Sequence, residues 1–401
     1  MIENKEWKKI RLGDIITLNY GKSLPAKKRV KGNIPVYSSA GNTGNHNIAL
    51  VEEKGIIVGR KGTVGSVYRV DVPFCCIDTA FFITQKDSRV NLDYLYYLLK
   101  WLPLDKLNSD SAIPGLNREN AYNQEFKISL VKKEQEKIAD ILKSLDDKIE
   151  LNNKMNETLE EMAQTIFKEW FVNFNFPNEE GKPYKDNGGK MVESARGMIP
   201  EGWRVEKLGN KINVTDYVAN GSFKALKENV SLYDFPNEVL YVRTTDYNNN
   251  FKGNLKYTDK ASYDFLKKSK LTGDEIIISN VGDVGTVFRA PVWLGLPMTL
   301  GSNAVSLYLE NYNSYIYYYF KSRVGQHQVE AITTGSAQLK FNKTNLRSLE
   351  ILIPNEVMLK KFGKIENKFY EKFKEIKKEI VILTKIRDNL LPKLMSGKVR
   401  V

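Results

Sequence analysis

Two stretches of the chain place apolar side chains at alternating spacings of four and three residues. The first predicts a long helix from 138 to 170, and its inward positions are Ile138, Leu142, Leu145, Ile149, Leu159, Ile166 and Trp170. The second lies near the end of the chain, at Phe362, Phe369, Phe373, Ile376, Ile380, Leu383, Leu390 and Leu394. A heptad pattern held this long is typical of a coiled coil. Because both patterns share one register, we predict two long antiparallel helices that pack on each other.

Polar or small residues interrupt both patterns. Asn152, Asn156 and Ala163 fill the first, and Glu366 and Arg387 fill the second. Buried polar positions in a coiled coil select register and partner orientation at some cost in stability. The alternative is that Asn152 and Asn156 face solvent where the coil frays.

Proline and glycine mark the ends of the helical stretches. Pro392 would interrupt a helix interior, so we expect the last helix to end near Leu391. Between the first long helix and the next globular part, residues 173–200 are rich in Pro, Gly, Asn and charge. This composition is typical of a loop or linker.

The remaining segments predict mixed helix and strand. Ile56–Val58 and Ile276–Ile278 are short buried-strand patterns, and Val67–Val70 and Val287–Ala290 are β-rich segments that follow Gly-bounded turns. Tyrosine-rich segments after Asn91 and Asn313 predict short helices. Their tyrosines fit a core better than base stacking, although both interpretations stay open. We therefore predict an α+β fold.

The two halves of the chain also resemble each other at four places in the same order. The matched segments are 6–13 with 202–209, 62–69 with 282–289, 94–100 with 315–321, and Ser111-Ala112 with Leu116-Asn117 against Ser336-Ala337 with Phe341-Asn342. Four ordered matches indicate a pseudo-two-fold internal repeat. The predicted divisions are globular 1–130, helix 131–175, linker 176–200, globular 201–352 and helix 353–401.

The charge balance indicates a polyanionic partner. Sixty-one Lys and Arg against 48 Asp and Glu leave a formal net charge of +13. Such a surplus favours nucleic acid as a partner. The alternative is a lysine-rich protein whose lysines are simply solvated.

Composition also argues against several classes of protein. No apolar run approaches the roughly 20 residues that span a bilayer, and the first twenty residues have no signal-peptide core. We therefore expect a cytoplasmic protein with no membrane partner. The only cysteines, Cys75 and Cys76, are adjacent, and the only histidines are His46 and His327. A disulfide framework and a zinc site are therefore not expected.

This arrangement resembles the specificity (S) subunit of type I restriction–modification enzymes. The segment Thr-Ile-Phe-Lys-Glu-Trp-Phe-Val-Asn-Phe at 165–174 is similar to the central conserved region of that family. The segment Asn-Leu-Leu-Pro-Lys-Leu-Met-Ser-Gly-Lys-Val-Arg-Val at 389–401 is similar to its usual C-terminal ending. The resemblance covers essentially the full chain and weakens in the globular halves, where the variable target-recognition domains of the family lie.

The resemblance implies a non-catalytic DNA-recognition role. Each globular half would recognise one part of a bipartite target in double-stranded DNA, and the helices would fix the spacing between the parts. The helices would also dock two methyltransferase (M) subunits, and nuclease/translocase (R) subunits would join the complex. S-adenosylmethionine would bind to the methyltransferase partner and no cofactor to this chain.

Candidate DNA contacts are cations, which neutralise phosphates, and polar side chains, which recognise base edges. The loop 59–65 is the most suggestive, although a hairpin turn with two solvated cations fits it too, and its counterpart 279–285 favours a base contact through Asn280. The candidates of the first half are Lys27, Lys28, Arg29, Ser39, Asn42, Thr43, Arg60, Lys61 and Thr63. Those of the second half are Arg243, Thr244, Thr245, Asn280, Ser302, Asn303, Gln338 and Lys340.

Two rival functions stay open at this stage. A free-standing methyltransferase or nuclease would need concealed motifs, because the sequence has neither an Asn-Pro-Pro-Tyr/Phe tetrapeptide nor a G-x-x-x-x-G-K-[ST] loop. A coiled-coil protein whose globular ends bind other proteins would lack salt-dependent DNA binding. Within the resembled family, a modification complex without a nuclease is a further possibility.

Overall fold

The computed structural model describes residues 7–107, 115–309 and 312–401. Glu6, Ser111 and Ala112, which belong to the predicted repeat matches, lie outside the described residues. The chain forms two compact units, one of Met1–Leu151 with Ile382–Val401 and one of Asn152–Val381. The predicted domain boundaries rest on changes in the sequence pattern, whereas these two units are defined by their compactness. The boundaries therefore stay predictions.

The first unit is a mixture of small antiparallel sheets and helices. Its strands are β1 Trp7–Arg11, β2 Asn19–Tyr20, β3 Ile34–Ser38, β4 Gly41–His46, β5 Gly55–Gly59, β6 Val67–Val70, β7 Cys75–Cys76, β8 Ala80–Thr84 and β9 Glu125–Ser129. Its helices are α1 Leu92–Trp101, α2 Arg118–Tyr122, the start of α3 Lys132–Phe167 and the end of the last helix of the chain, from Ile382 to Met395. The main sheet has the order β2-β8-β5-β6, beside a β4-β3-β7 sheet and a β1-β9 pair.

The second unit has more strands. They are β10 Met191–Ser194, β11 Gly197–Pro200, β12 Arg204–Lys207, β13 Asn213–Asp216, β14 Leu232–Tyr233, β15 Val239–Val242, β16 Lys256–Thr258, β17 Lys270–Leu271, β18 Ile276–Ser279, β19 Val287–Arg289, β20 Met298–Leu300, β21 Ala304–Tyr308 and β22 Glu350–Ile353. Its helices are α4 Phe223–Asn229, α5 Thr244–Asn248, α6 Lys260–Phe265, α7 Asn313–Lys321, α8 Arg323–Ala331, α9 Lys343–Ser348 and most of α10 Glu356–Met395.

One topology occurs twice, which confirms the predicted internal repeat and the α+β fold. The sheet β2-β8-β5-β6 has its counterpart in β13-β21-β18-β19, and the pair β1-β9 in β12-β22. In each unit one further pair is parallel, β3 with β7 and β15 with β20. The second unit adds β14, β16 and β17 around its parallel pair, so the two units differ at the edges of this smaller sheet.

The predicted buried strands and tyrosine helices form the cores. Strands β5 and β18 are buried along their whole length, as their runs of Ile and Val require. Helix α1 is capped by Asn91, whose side chain accepts a hydrogen bond from the Tyr94 backbone N–H. Tyr94, Tyr97 and Tyr315 are among the largest fully buried side chains, so the core interpretation of these tyrosines is confirmed. Burying an aromatic ring of this size contributes strongly to the stability of the fold.

Both long helices form, but the last one extends further than predicted. Helix α3 runs for 36 residues and continues as a π-helical turn over Lys168–Val172. Helix α10 runs for 40 residues to Met395 and contains Pro392. The expectation that it ends near Leu391 is therefore wrong. The physical reason is that Pro392 lies in the last turn, where it removes only one helical hydrogen bond, while Leu394 and Met395 beyond it are buried.

Within each unit, α3 and α10 pack against each other in antiparallel fashion. In the second unit Asn152 Nδ2 donates to Glu379 Oε2 at 2.9 Å. In the first unit Arg387 Nη1 donates to Asp146 Oδ1 at 2.7 Å. Asn152 and Asn156 are buried, so the interpretation that they face solvent is wrong.

The predicted linker is folded. Strands β10 and β11 pair as an antiparallel hairpin. Before them, the buried Phe176 stacks on Tyr184 at 4.5 Å and on Trp203 at 5.3 Å between ring centroids. Aromatic packing therefore orders a segment that its polar composition marked as a loop.

Candidate nucleic-acid interface

The loop that follows the central buried strand has the same backbone hydrogen bonds in both units. In the first, Gly65 N donates to Gly59 O at 2.9 Å. In the second, Gly285 N donates to Ser279 O at 2.9 Å. Gly65 has a φ of +74°, and a Cβ there would come within 2.4 Å of the Asp105 backbone N. Glycine is required at position 65 because the residue has a left-handed backbone conformation and a neighbouring backbone segment leaves no room for a Cβ.

A third segment closes each loop. Leu116 N donates to Arg60 O at 2.8 Å in the first unit, and Phe341 N donates to Asn280 O at 3.1 Å in the second. Asparagine follows in both cases and caps a short helix: Asn117 caps α2 and Asn342 caps α9. The repeat thus brings together segments that are about 60 residues apart in each unit. Arg60 and Asn280 occupy equivalent positions, which gives two loops of one shape with different side chains.

The cations of the first unit are not equally available to a ligand. Lys27, Lys28 and Lys61 are exposed. Arg29 is half-buried, and its guanidinium donates to Thr43 O at 2.5 Å and Leu24 O at 3.3 Å. Arg29 therefore holds its own loop together, while the three lysines are available for phosphates.

The polar candidates of the first unit surround this loop. Asn42, Thr43 and Thr63 are exposed. Asn42 Oδ1 accepts a hydrogen bond from Gly44 N at 2.9 Å, so the side-chain NH2 group, Nδ2, is the part left to contact a ligand. Ser39 is only 6% exposed, and its backbone O accepts from Ser66 Oγ at 2.5 Å. Because Ser39 is inside the unit, the structure places it in support of the loop rather than on a contact surface.

In the second unit, the segment 243–246 is mainly self-contained. The Arg243 guanidinium donates to Asp246 Oδ2 at 3.0 Å and Oδ1 at 2.5 Å. The hydrogen bond to Asp246 raises the pKa of Arg243 above its usual value. Thr244 is buried and only Thr245 is exposed. Arg243 and Thr244 are thus occupied within the protein, which leaves Thr245 as the accessible candidate of the three.

The other candidates of the second unit lie near one another. Asn303 O accepts from Asn280 N at 3.1 Å, and Leu339 O accepts from Gly282 N at 2.9 Å. The Asn280 side chain donates to Phe341 O at 3.3 Å, which leaves its carbonyl oxygen as the group able to meet a base edge. Exposed side chains next to this loop belong to Ser302, Asn303, Gln338 and Lys340.

The predicted coil residues face inward in both helices. Six are buried, namely Ile138, Leu142, Phe362, Ile376, Ile380 and Leu394. The others are half-buried, namely Leu145, Ile149, Leu159, Ile166, Trp170, Phe369, Phe373, Leu383 and Leu390. Their role in holding partner subunits stays a prediction.

Two residues beside the first loop were missed from the sequence, Tyr20 and Arg118. The Arg118 guanidinium carbon lies 5.3 Å from the centroid of the Tyr20 ring. A signal for Arg118 existed, because a cation follows the capping asparagine in both repeats, as Arg118 and as Lys343. Tyr20 had no such signal, since its counterpart, defined by strand pairing, is Asp216.

Two further classes of site are not found in the part of the chain that the structure describes. Residues 7–107, 115–309 and 312–401 contain no group of three or more His, Cys, Asp or Glu side chains able to hold a metal ion. Within the same ranges, no helix combines the length and the apolar character needed to cross a bilayer.

Comparison with known proteins gives one family. The sequence profile described as "Type I restriction modification DNA specificity domain" matches residues 4–161 and again 200–384. The chain is 29% identical over 388 residues to the MjaIX specificity subunit of a type I restriction enzyme from Methanocaldococcus jannaschii, covering 89% of this chain and 83% of the relative. It is 23% identical over 392 residues to the HindI specificity subunit from Haemophilus influenzae, covering 80% and 81%.

The fold is also similar to a solved structure. The crystal structure of a type I restriction–modification S subunit from M. genitalium superposes with a TM-score of 0.61 and covers 98% of both chains. The sequence identity is 17%, so this similarity concerns the fold.

Proposed function

The chain belongs to the type I restriction–modification DNA specificity family, and we propose that it selects the DNA target of a type I methyltransferase and endonuclease complex. The observation that carries the proposal is the duplicated loop, with Arg60 and Lys61 in one unit and Asn280 and Val281 in the other. One backbone shape with two sets of side chains suits two different stretches of DNA, in which cations contact phosphates and the polar side chains around each loop recognise bases.

The long helices support a fixed gap between the two blocks. At 1.5 Å per residue, the 36 residues of α3 and 40 residues of α10 correspond to about 54 and about 60 Å. One turn of B-DNA is about 34 Å. A spacer longer than one turn lets each recognition domain contact its own block while the bases between them are ignored.

The helices also carry apolar side chains on their outer faces. Leu151, Met155 and Met162 of α3 and Ile382 and Ile386 of α10 are each at least 39% exposed. Exposed apolar side chains along a helix mark a surface for a protein partner. We assign the exposed apolar side chains of each unit to contacts with methyltransferase subunits, two in all, and the nuclease/translocase subunits join the complex they form.

Chemistry is assigned to the partners rather than to this chain. Methyl transfer from S-adenosylmethionine belongs to the methyltransferase subunits, and cleavage belongs to the nuclease subunits. The proposed place of action is the cytoplasm, where the complex meets DNA. Incubation of the purified chain with DNA and labelled S-adenosylmethionine separates this proposal from a free-standing enzyme, since it predicts no transfer.

Single-molecule methylome sequencing tests the proposal directly. A cell that expresses this chain with its methyltransferase partner should carry one methylated motif of two defined blocks around a gap of fixed length. A cell with the partner alone is the control and should lack the motif. A contiguous methylated motif, or the same motif without this chain, contradicts the proposal.

A further inference from the structure

An exposed tyrosine in the first unit has two guanidinium groups close to its ring. The Tyr20 side chain is 51% exposed. The guanidinium carbon of Arg60 lies 5.2 Å from its ring centroid, and that of Arg118 lies 5.3 Å from it. Guanidinium groups at this distance are attracted to the face of an aromatic ring. Tyr20 therefore fixes the positions of two cations that come from distant parts of the chain.

No acidic side chain of the described residues neutralises either guanidinium. Within residues 7–107, 115–309 and 312–401, no carboxylate lies within 4.0 Å of a nitrogen of Arg60 or Arg118. Within these ranges the only hydrogen bond that either guanidinium makes runs from Arg60 Nη1 to the backbone O of Asp78, at 2.9 Å. Two like charges on one ring repel each other, and the exposed Lys61 adds a third. An anionic ligand would relieve this repulsion.

At the equivalent place in the second unit, the cation is paired with an acidic side chain of the same unit. Strand pairing makes Asp216 the counterpart of Tyr20, since they pair with the equivalent residues Val305 and Phe81. Lys343 is the counterpart of Arg118, because each follows a capping asparagine. Lys343 Nζ lies 2.8 Å from Asp216 Oδ1, with the two side chains 28% and 13% exposed. The equivalent surface is thus neutralised internally.

We infer that Arg60 and Arg118, held by the Tyr20 ring, form a binding site for backbone phosphates of the DNA target. The inference rests on the proposed function and adds the chemical group that this surface binds. The planar N–H edges of guanidinium match phosphate oxygens in a bidentate way. The first recognition domain therefore supplies more of the salt-dependent affinity than the second.

The test measures DNA binding as a function of salt. The chain, assembled with its methyltransferase subunits, is titrated with a fluorescein-labelled duplex that contains the motif found by methylome sequencing. Loss of one phosphate contact lowers the magnitude of the slope of log K against log salt by about 0.9. Arg60→Ala and Arg118→Ala should each lower it by about that amount. Tyr20→Ala should weaken binding several-fold, whereas Tyr20→Phe keeps the ring and should bind as the wild type does.

Two further variants sharpen the result. Lys127→Ala removes an exposed cation on β9 of the same unit, outside the cluster, and should leave affinity and slope unchanged. Asp216→Asn should release Lys343 in the second unit and steepen the slope by about 0.9. Asparagine keeps an oxygen to accept the hydrogen bond that Asp216 receives from Ala219 N, so folding is preserved. Thermal unfolding of every variant checks this.

The outcomes separate the site from the function. If the wild-type complex shows no salt-dependent binding, the proposed function and the phosphate site both fail. If it binds and the two arginine variants keep its slope, the site is refuted and the function stands. If Arg118→Ala keeps the slope but changes a base of the methylated motif, Arg118 contacts a base edge and the phosphate assignment is wrong.

Discussion

Arg289 Nη1 donates a hydrogen bond to Glu366 Oε1 at 2.8 Å, and the two side chains are 8% and 1% exposed. This pair joins β19 of the second unit to an inward position of α10. The guanidinium carbon lies 4.3 Å from the Tyr317 ring centroid and 4.1 Å from that of Tyr370. Burial alone would lower the pKa of Arg289, but the Glu366 carboxylate and both tyrosines hold it above its usual value.

Removing one partner of this pair should destabilise the second unit strongly. Arg289→Ala leaves Glu366 buried without its cation, which should lower the free energy of unfolding by about 3 to 5 kcal/mol. Denaturant unfolding followed by circular dichroism measures the loss. Arg204→Ala breaks a pair in which Arg204 is 58% exposed, and this control should change stability by less than about 1 kcal/mol.

The double variant Arg289→Met with Glu366→Leu separates pairing from packing. Apolar residues of similar size often replace a buried ion pair without loss of stability. We expect the double variant to unfold within about 1 kcal/mol of the wild type or above it. A double variant as unstable as Arg289→Ala would show that the tyrosine contacts, rather than the ion pair, hold the domain to the helix.

Asn156 is predicted to lower stability in exchange for a defined helix register. It is 3% exposed, and within residues 7–107, 115–309 and 312–401 neither of its side-chain amide atoms has a hydrogen-bond partner. An unsatisfied buried polar group costs about 1 to 3 kcal/mol. Asn156→Leu should therefore raise the free energy of unfolding by about that amount. Its neighbour Asn152 donates to Glu379, so Asn152→Leu is the contrasting variant and should be destabilising.

The length of the helices should determine the unrecognised gap in the target. Inserting one heptad into α3 and one into α10 keeps the inward pattern and lengthens each helix by about 10 Å. That length corresponds to about three base pairs at 3.4 Å each. Methylome sequencing should show a longer gap between two unchanged blocks. An unchanged gap would refute the role of the helices as spacer.

Each recognition domain should determine one block independently. Replacing residues 1–130 by the matching half of a relative should change one block of the methylated motif and preserve the other. The physical reason is that the loop after β5 and the loop after β18 belong to different compact units. A change in both blocks would show that the recognition surfaces are not separate. The reciprocal exchange of 201–352 serves as the control and should change the other block alone.

Attachment of the chain end to α3 should depend on pH. Glu134 accepts hydrogen bonds from Trp7 Nε1 at 3.2 Å and from Arg400 Nη1 at 3.1 Å. Burial opposes its ionisation, but hydrogen bonds from Ser129, Arg400 and Trp7 outweigh burial and lower the pKa of Glu134 below its usual 4.5. A lowered folded-state pKa stabilises the protein above pH 4.5, and this stabilisation is lost as pH falls through the lowered pKa.

The variant Glu134→Gln tests this pH dependence. It should be less stable than the wild type by about 1.5 kcal/mol at pH 7, since hydrogen bonds to a charged group are lost. The difference should disappear as the pH falls well below 4.5. Thermal unfolding from pH 3 to 8 measures it. Asp140→Asn, at an exposed carboxylate of α3, is the control and should change stability by less than about 0.5 kcal/mol at pH 7.

Local patterns in the sequence determined the repeat and most of the elements. The heptad patterns predicted α3 and α10, and the runs of Ile and Val predicted β5 and β18. These predictions are possible because burial of one helix face, or of a whole strand, requires a pattern of apolar residues that is visible in the local sequence. Composition did not predict the structure where packing between residues distant in sequence determines it. Phe176 orders a polar segment through Trp203, and burial of Leu394 carries α10 past Pro392.

Side-chain partners were decided by the tertiary structure alone. Arg60 and Arg118 meet on Tyr20 because strand pairing and loop closure bring three separate segments together. The sequence supplied the charges, but which of them are neutralised depends on distances across the fold. Arg243 and Lys343 each have a carboxylate within 3 Å, whereas the exposed Lys27, Lys28 and Lys61 extend into solvent. Coulomb energy falls with distance, so composition fixes the net charge and only the folded chain fixes where it acts.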